Sequence, residues 1–467
     1  MSNPTRTPQD TPHLNPTITF WPLVLLGLAY ITPTIALDLF GTFSRASNGT
    51  LTTSYVLTTV VLLFTALSYS KMSRRYPAAG SAYTYTRRAI DSRIGFLVGW
   101  LTLLDYLFLP MVVWLISVVY LSEQFPGVPK WAFLVPLIAL TTLINVLGIT
   151  VARLANVLLI SYQLLVLALF AFFSIRHLIG EGGVGAVVST GPFWNSGSTV
   201  AAVSAGAALT AYSFIGFDAV STFAEDTVQA KKVIPRAIIT TLLIAGLIFV
   251  IVSYISQVLH PGGDFHHADT ASLDLAKKVG GEFLRSLVLA EVIIGGVSAG
   301  IPIQASGARL LFAMGRDGVL PKRFFGRLSR KFGTPANNIL LMAAVGLLAL
   351  GMSLSTSTSF INFGAFTAFA FVNISVITLW WRERRTKRKG ILGWIIFPSI
   401  GLAGVVWLMT SLDSHALKLG AIWLLVGIGW LTYLTKLFRR EPPEIRLDEA
   451  DQETETRKSK NTQEATP

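Results

Sequence analysis

Residues 210–226 read T-A-Y-S-F-I-G-F-D-A-V-S-T-F-A-E-D, the latter part of an apolar run interrupted by Gly216, Phe217 and Asp218. A carboxylate in hydrocarbon costs at least about 2–3 kcal/mol, and such residues face a protein interior or a watery cavity. Asp218 is therefore a candidate binding residue by position alone. The glycine beside it points to broken backbone, which persists at membrane depth only where it is buried in protein or lines a cavity. Secondary transporters carry such breaks in corresponding positions of two halves. A second break is thus expected, and residues 20–40, F-W-P-L-V-L-L-G-L-A-Y-I-T-P-T-I-A-L-D-L-F, supply it. Thr32-Pro33-Thr34 lies mid-span, where proline removes a backbone donor and clashes with the preceding turn. Asp38 follows four residues after Thr34. Either break alone reads equally as an ordinary kink, since Gly and Pro are frequent in membrane helices. The reading rests on the two together, first and sixth in chain order.

Composition agrees with a membrane setting. The 467 residues are 52% hydrophobic and only 13% charged, with a mean hydropathy of +0.59, which leaves too little polar surface to coat a soluble globule. The lipid bilayer is the expected surrounding. The absence of cysteine excludes disulfides, thiolate metal sites and cysteine nucleophiles. The six histidines, His13, His177, His260, His266, His267 and His415, fall in the N-terminal tail or in and beside predicted connections, so none is placed for an intramembrane proton relay. His266-His267 reads as a solvated loop pair more readily than as a metal site. With no H-E-x-x-H and no histidine at depth, a membrane metalloprotease is disfavoured, and no enzyme, cofactor or metal is expected. A channel or sensor is the other membrane alternative, but two discontinuous helices point more directly to alternating access.

Twelve apolar segments of roughly the 20 residues needed to cross a bilayer follow one another. They are placed near 20–42, 52–70, 94–122, 131–149, 153–178, 199–224, 235–258, 284–314, 338–354, 358–381, 393–411 and 416–437, and are numbered spans 1 to 12. The fold class expected is an all-α polytopic membrane protein. Connections after even-numbered spans hold 23 Lys and Arg against 7 after odd-numbered ones, which puts the even connections and both termini in the cytoplasm. The net charge of +13 then reports topology, and a nucleic-acid partner is not needed. Residues 1–19, without a cleavable signal pattern, and 441–467, charged and aperiodic, read as disordered tails flanking one transporter domain over 20–440. Breaks in spans 1 and 6 divide the first ten spans into two groups of five. An odd repeat gives the halves opposite orientations, with substrate held near the midplane between them.

G-F-D-A-V-S-T-F-A-E-D at 216–226 with Ile234-Pro235-Arg236, P-x-x-G-S-x-Y at 77–83 and A-R-L-L-F-A-M-G-R-D-G at 308–318 resemble the amino acid, polyamine and organocation (APC) superfamily of transporters. G-L-A-Y-I-T-P at 27–33, A-G-S-A-Y-T-Y at 79–85, L-L-D-Y-L-F-L-P at 103–110, M-G-R-D at 314–317 and I-N-F-G-A at 361–365 are similar to the bacterial putrescine importers within it. The resemblance implies a LeuT-like five-plus-five inverted repeat with two added helices, working by alternating access in the plasma membrane. Glu291 in span 8 departs from that narrower pattern, which carries an uncharged residue there, and this bears on ligand or coupling.

In amino acid carriers of the superfamily, a glycine-rich break in the first helix leaves backbone N–H groups that bind the substrate carboxylate. Here the break is Ile31-Thr32-Pro33-Thr34, with no glycine and one residue lacking N–H, so that receptor is weakened. The charges inside the spans are acidic: Asp38, Asp105, Asp218 and Glu291. This set suits a small cation such as putrescine, because each ammonium leaving water needs a carboxylate, hydroxyl or carbonyl partner. Phe217, Tyr106 and Tyr212 are the candidate rings for cation–π contact, each of which reads otherwise as helix packing. Asp105 and Tyr106 lie about 17 Å into span 3 and point about 100° apart, so Tyr106 is expected to line the cavity with Asp105 at its edge or paired with another helix. The expected substrate site is therefore Gly216, Phe217, Asp218, Asp105, Tyr106, Tyr212, Thr32 and Thr34. The candidates for coupling are Glu291, Asp38 and Ser298.

The coupling ion is expected to be a proton taken up by a buried carboxylate. Sodium is the alternative, held by Ser298 and the carbonyls near Ala29 and Pro33. Arg316 with Asp317, and Glu225 with Arg75, are candidate gate pairs or solvated loop charges. The rival function is an amino acid permease or amino acid–amine exchanger, in which Thr32, Thr34 and free amides would hold a carboxylate and Asp218 an amine.

Overall fold

The computed structural model describes residues 18–77, 81–147, 152–224, 227–329, 332–383 and 390–443. Of the tails expected at 1–19 and 441–467, residues 1–17 and 444–467 lie outside the described residues, as do motif positions 78–80, Glu225 and the basic run 384–389. Among those described, the β pairing is confined to one isolated bridge between Ile18 and Thr227. The rest is helix and connection. Among the described residues, eleven helices are long and apolar enough to cross a membrane, and a shorter apolar one, Ala336–Gly351, takes the ninth place. Span 1 occupies Phe20–Asp38, followed by Leu51–Arg75, Ser92–Gln124, Lys130–Leu147, Ala152–Gly182, Val200–Phe223 and Ala230–Leu259 as spans 2 to 7. Ala271–Arg316 is span 8, and Leu354–Glu383, Leu392–Thr410 and Ser414–Leu434 are spans 10 to 12.

The twelve expected segments are all present, with two differences. Helix Ala271–Arg316 starts earlier than the hydropathy pattern places it, because a separate helical stretch, 271–280, leads into the span across a kink at Gly281, whose φ of 63° and ψ of −160° are not helical. A nine-residue helix, Ser81–Ala89, also occupies the connection between spans 2 and 3. It is too short and polar to register as a span.

Both expected breaks are real, and their causes differ. In span 1 the helix Phe20–Ile31 stops at Thr32, whose φ of 60° and ψ of 90° are not helical, and resumes at Ile35–Asp38 and Phe40–Ala46. Pro33 has no N–H to offer the carbonyl of Ala29, which is left at the break. In span 6 the helix Val200–Thr210 tightens into 3-10 turns, Ala211–Phe214 and Ala219–Phe223, with Gly216 at φ 119° between them. That dihedral suits glycine alone. Space demands it as well, since a Cβ on Gly216 would lie 2.4 Å from Cδ1 of Tyr30. The two breaks therefore touch.

Burial separates inner from outer helices. Within their apolar windows 78% of span 6, 72% of span 10 and 67% of span 3 is buried, against 22% of span 11 and 17% of span 12. Spans 11 and 12 thus sit at the periphery, as expected of helices added outside a ten-helix repeat. Span 12 is fixed to span 3 by a reciprocal pair of bonds. Trp100 donates its indole N–H to the Trp423 carbonyl and Trp423 donates to that of Trp100, each at 3.0 Å, with the rings stacked 5.0 Å apart.

Candidate functional site

A cavity of about 510 Å³ runs from the two breaks to the basic end of span 8. Span 1 contributes Ala29, Tyr30 and Thr32 to its wall, span 3 Tyr106, span 5 Gln163, span 6 Ala219, Thr222 and Phe223, and span 8 Ser298, Pro302, Arg309 and Arg316. Tyr30, Thr32, Ala299 and Ile303 also border a second, much smaller void of about 40 Å³, whose other walls include Asp38, Tyr212, Glu291 and Gly295. A large cavity and a small one therefore share a partition made by the first break and span 8.

The candidate residues divide between these spaces. Tyr106, Thr32 and Ser298 line the large cavity, as expected for Tyr106, and Ser298 donates its hydroxyl to the Gly295 carbonyl at 3.1 Å. Tyr212, Asp38 and Glu291 line the small one. Thr34, fully buried, donates to Oε1 of Glu291 at 2.8 Å, so the hydroxyl proposed for substrate joins span 1 to span 8. Asp218 and Asp105 are half-buried and on the wall of neither space. They lie within electrostatic reach of each other and of Tyr30 and Tyr106. Backbone amides of Gly216, Asp218 and Ala219 are turned toward the Asp218 carboxyl, an arrangement that the broken helix makes available. One oxygen of Asp105, Oδ1, is buried without a hydrogen-bond partner.

Phe217 takes a different place from the one expected. Its side chain is fully buried between Tyr69, at 5.7 Å between centroids, and Phe369, at 5.1 Å. The 3-10 geometry around Gly216 turns it away from the cavities into this aromatic packing. Arg316 pairs with Asp317 through two contacts, at 2.9 and 3.3 Å. Arg75 pairs with Glu383 at 3.2 Å, and the partner expected for it, Glu225, is outside the described residues.

Three residues that matter here were not singled out from the sequence. Tyr30 borders both spaces and packs on Gly216; its signal was proximity to the Thr32 break. Gln163 is a polar residue inside an apolar span, 6% exposed, beside both the large cavity and Glu291. Arg309 sits at the basic end of the large cavity, where the sequence showed only a topological charge.

A family model described as amino acid permease matches residues 18–431. The chain belongs to the amino acid permease family, within the APC superfamily. The permease is 39% identical, over 92% of its length and 96% of the relative's, to the low-affinity putrescine importer PlaP of Escherichia coli (strain K12). It is 27% identical to the branched-chain amino acid permease BcaP of Bacillus subtilis (strain 168), over 87% of this chain and 90% of that one. It is 25% identical to the mitochondrial cationic amino acid transporter 3 of Arabidopsis thaliana, over 77% of this chain and 61% of that one. With the family comes the LeuT-like fold, and the permease is a multi-pass membrane protein whose broken spans 1 and 6 meet at its centre.

Proposed function

We propose that this permease imports a small diamine, putrescine, across the plasma membrane by proton-coupled alternating access, with both termini in the cytoplasm. The observation that carries the reading is the 39% identity, over nearly the whole of both chains, to a protein named as a putrescine importer. The chemistry at the breaks supports it. Asp218 and Asp105 stand together without a basic side chain among the charges that act on them, and Tyr30 and Tyr106 supply aromatic faces against which a short aliphatic diamine could lie. One ammonium group would be neutralised by Asp218 once the Tyr30 ring moves aside, and the second would meet the hydroxyl and carbonyl groups of the cavity wall. Gly216 contributes by admitting Tyr30 and by freeing the amides around Asp218. The charge asymmetry of the connections supports the orientation.

The second reading is an amino acid permease or an amino acid–amine exchanger, which the likeness to a branched-chain amino acid permease favours. In that reading Thr32 and the amides near the first break receive a carboxylate. Sodium, with Ser298 and the Ala29 carbonyl beside the large cavity, is the alternative coupling ion. Competition separates the substrates: unlabelled putrescine and other short diamines should block uptake of labelled putrescine, whereas neutral amino acids should not. A neutral amino acid that blocks at low concentration would replace the diamine reading with the permease one.

A further inference from the structure

The small void beside the substrate cavity is bordered by two carboxyl groups that the proposed diamine site does not use. Asp38 is 6% exposed and Glu291 1%, and they face each other within hydrogen-bonding reach. Thr34 donates to Glu291 Oε1 at 2.8 Å, and the Gln163 side chain approaches the same carboxyl. Gly295 leaves the room for this, since a Cβ there would lie 3.1 Å from Glu291 Oε1. Asp38 Oδ1, by contrast, is buried with no hydrogen-bond partner, on a residue that lines the void. A void of about 40 Å³ holds on the order of one water.

The titratable groups facing the pair come from every neighbouring element. They are Tyr30 of span 1, Tyr55 of span 2, Tyr120 of span 3, Tyr162 of span 5 and Tyr212 of span 6, with Asp269 just before span 8 acting on Tyr120. None of these is basic. The Tyr120 hydroxyl is already engaged, with the Asp38 backbone carbonyl at 2.5 Å and Ser272 Oγ at 2.6 Å. Two negative charges in contact, in a low dielectric and without a cation, repel strongly. One proton between the carboxyl groups turns that repulsion into a hydrogen bond.

We propose that Asp38 and Glu291 form the proton-coupling site of this permease, binding one proton per cycle apart from the carboxylates that hold the diamine. The inference rests on the proton-coupled import proposed above and assigns that proton a place. Protonated, the pair and the Thr34–Glu291 bond hold the outer portion of the first break against span 8. Deprotonated, the pair repels and loosens the same junction. Proton occupancy and the position of the broken helix are therefore linked, each biasing the other. The step is a simple one: a carboxylate takes a proton from water on one side and returns it to water on the other.

The test uses purified full-length protein in proteoliposomes, wild type against Glu291→Gln and Asp38→Asn. Three quantities are read: putrescine accumulation under an inward pH gradient, proton entry reported by a trapped pH dye, and putrescine–putrescine counterflow without a gradient. Wild type should accumulate substrate with proton entry, up to about tenfold per pH unit for one proton per substrate. The variants should keep counterflow yet bring the inside-to-outside ratio to about one and lose proton entry, with uptake no longer rising as external pH falls. Gradient-driven accumulation in both variants equal to wild type overturns the assignment while leaving proton-coupled import standing. Loss of counterflow in both variants also overturns it, since the pair would then serve substrate or fold. Wild-type accumulation that follows sodium and ignores the pH gradient overturns the proton reading on which the assignment rests.

Discussion

The carboxyl group at the break in span 6 and the two carboxyl groups beside the break in span 1 are all buried acids next to interrupted backbone, yet they are set up differently. Asp218 has backbone amides turned toward it and lies within electrostatic reach of Tyr30, which packs on Gly216 and borders both cavities. In the proposed reading Asp218 is the group that meets the diamine's ammonium. Asp38 and Glu291 face one another, fixed by a threonine from the break itself, which suits a site that changes its own charge. That difference in surroundings is the ground for the proposed division between a cargo acid, Asp218, and a driving-ion pair, Asp38 with Glu291.

The sharpest way to break this division is Asp218→Asn, which should abolish uptake while leaving expression and membrane insertion unchanged. Wild-type uptake in that variant would remove Asp218 from the mechanism. Next in size is Gly216→Ala. The new methyl group meets the Tyr30 ring and the backbone is held at φ 119°, a strain of about 1–3 kcal/mol. Thermal unfolding should fall accordingly and transport should drop with it; unaltered melting and uptake would mean that Tyr30 and Gly216 do not need this close fit.

Smaller effects sharpen the picture of the substrate wall. Tyr106→Phe should retain uptake, whereas Tyr106→Ala should raise KM by about 30-fold, the equivalent of a desolvated cation–π contact of about 2 kcal/mol. A defect equal in both variants would assign the role to the hydroxyl instead of the ring. The smallest effect is expected at Phe217→Leu, which should cost stability by about 1 kcal/mol through its two ring contacts and leave KM near wild type. A selective rise in KM would return Phe217 to the substrate site.

Much of the fold was legible because its determinants are local. Twelve apolar runs, a proline at position 33 and a glycine at position 216 are readable one segment at a time, and membrane thickness converts run length directly into span count. The site was legible only in part. Tyr106 faces the cavity, as helical geometry in span 3 allowed one to expect. Phe217 does not, because the 3-10 turns on either side of Gly216 replace the 100° helical step on which such facing arguments depend. The contact of Gly216 with Tyr30 and that of Thr34 with Glu291 join segments far apart in sequence, and no periodicity carries that information. Gln163 was visible as an amide in span 5, but its importance comes from the cavity and carboxyl it meets.

The most direct measurement is uptake of radiolabelled putrescine into proteoliposomes holding the purified permease, under an imposed proton gradient, an imposed sodium gradient and neither. The expected result is accumulation above empty liposomes, concentrated by the proton gradient. No putrescine uptake under any of the three conditions, with labelled amino acids entering in its place, would contradict the reading of the acidic centre as a diamine site.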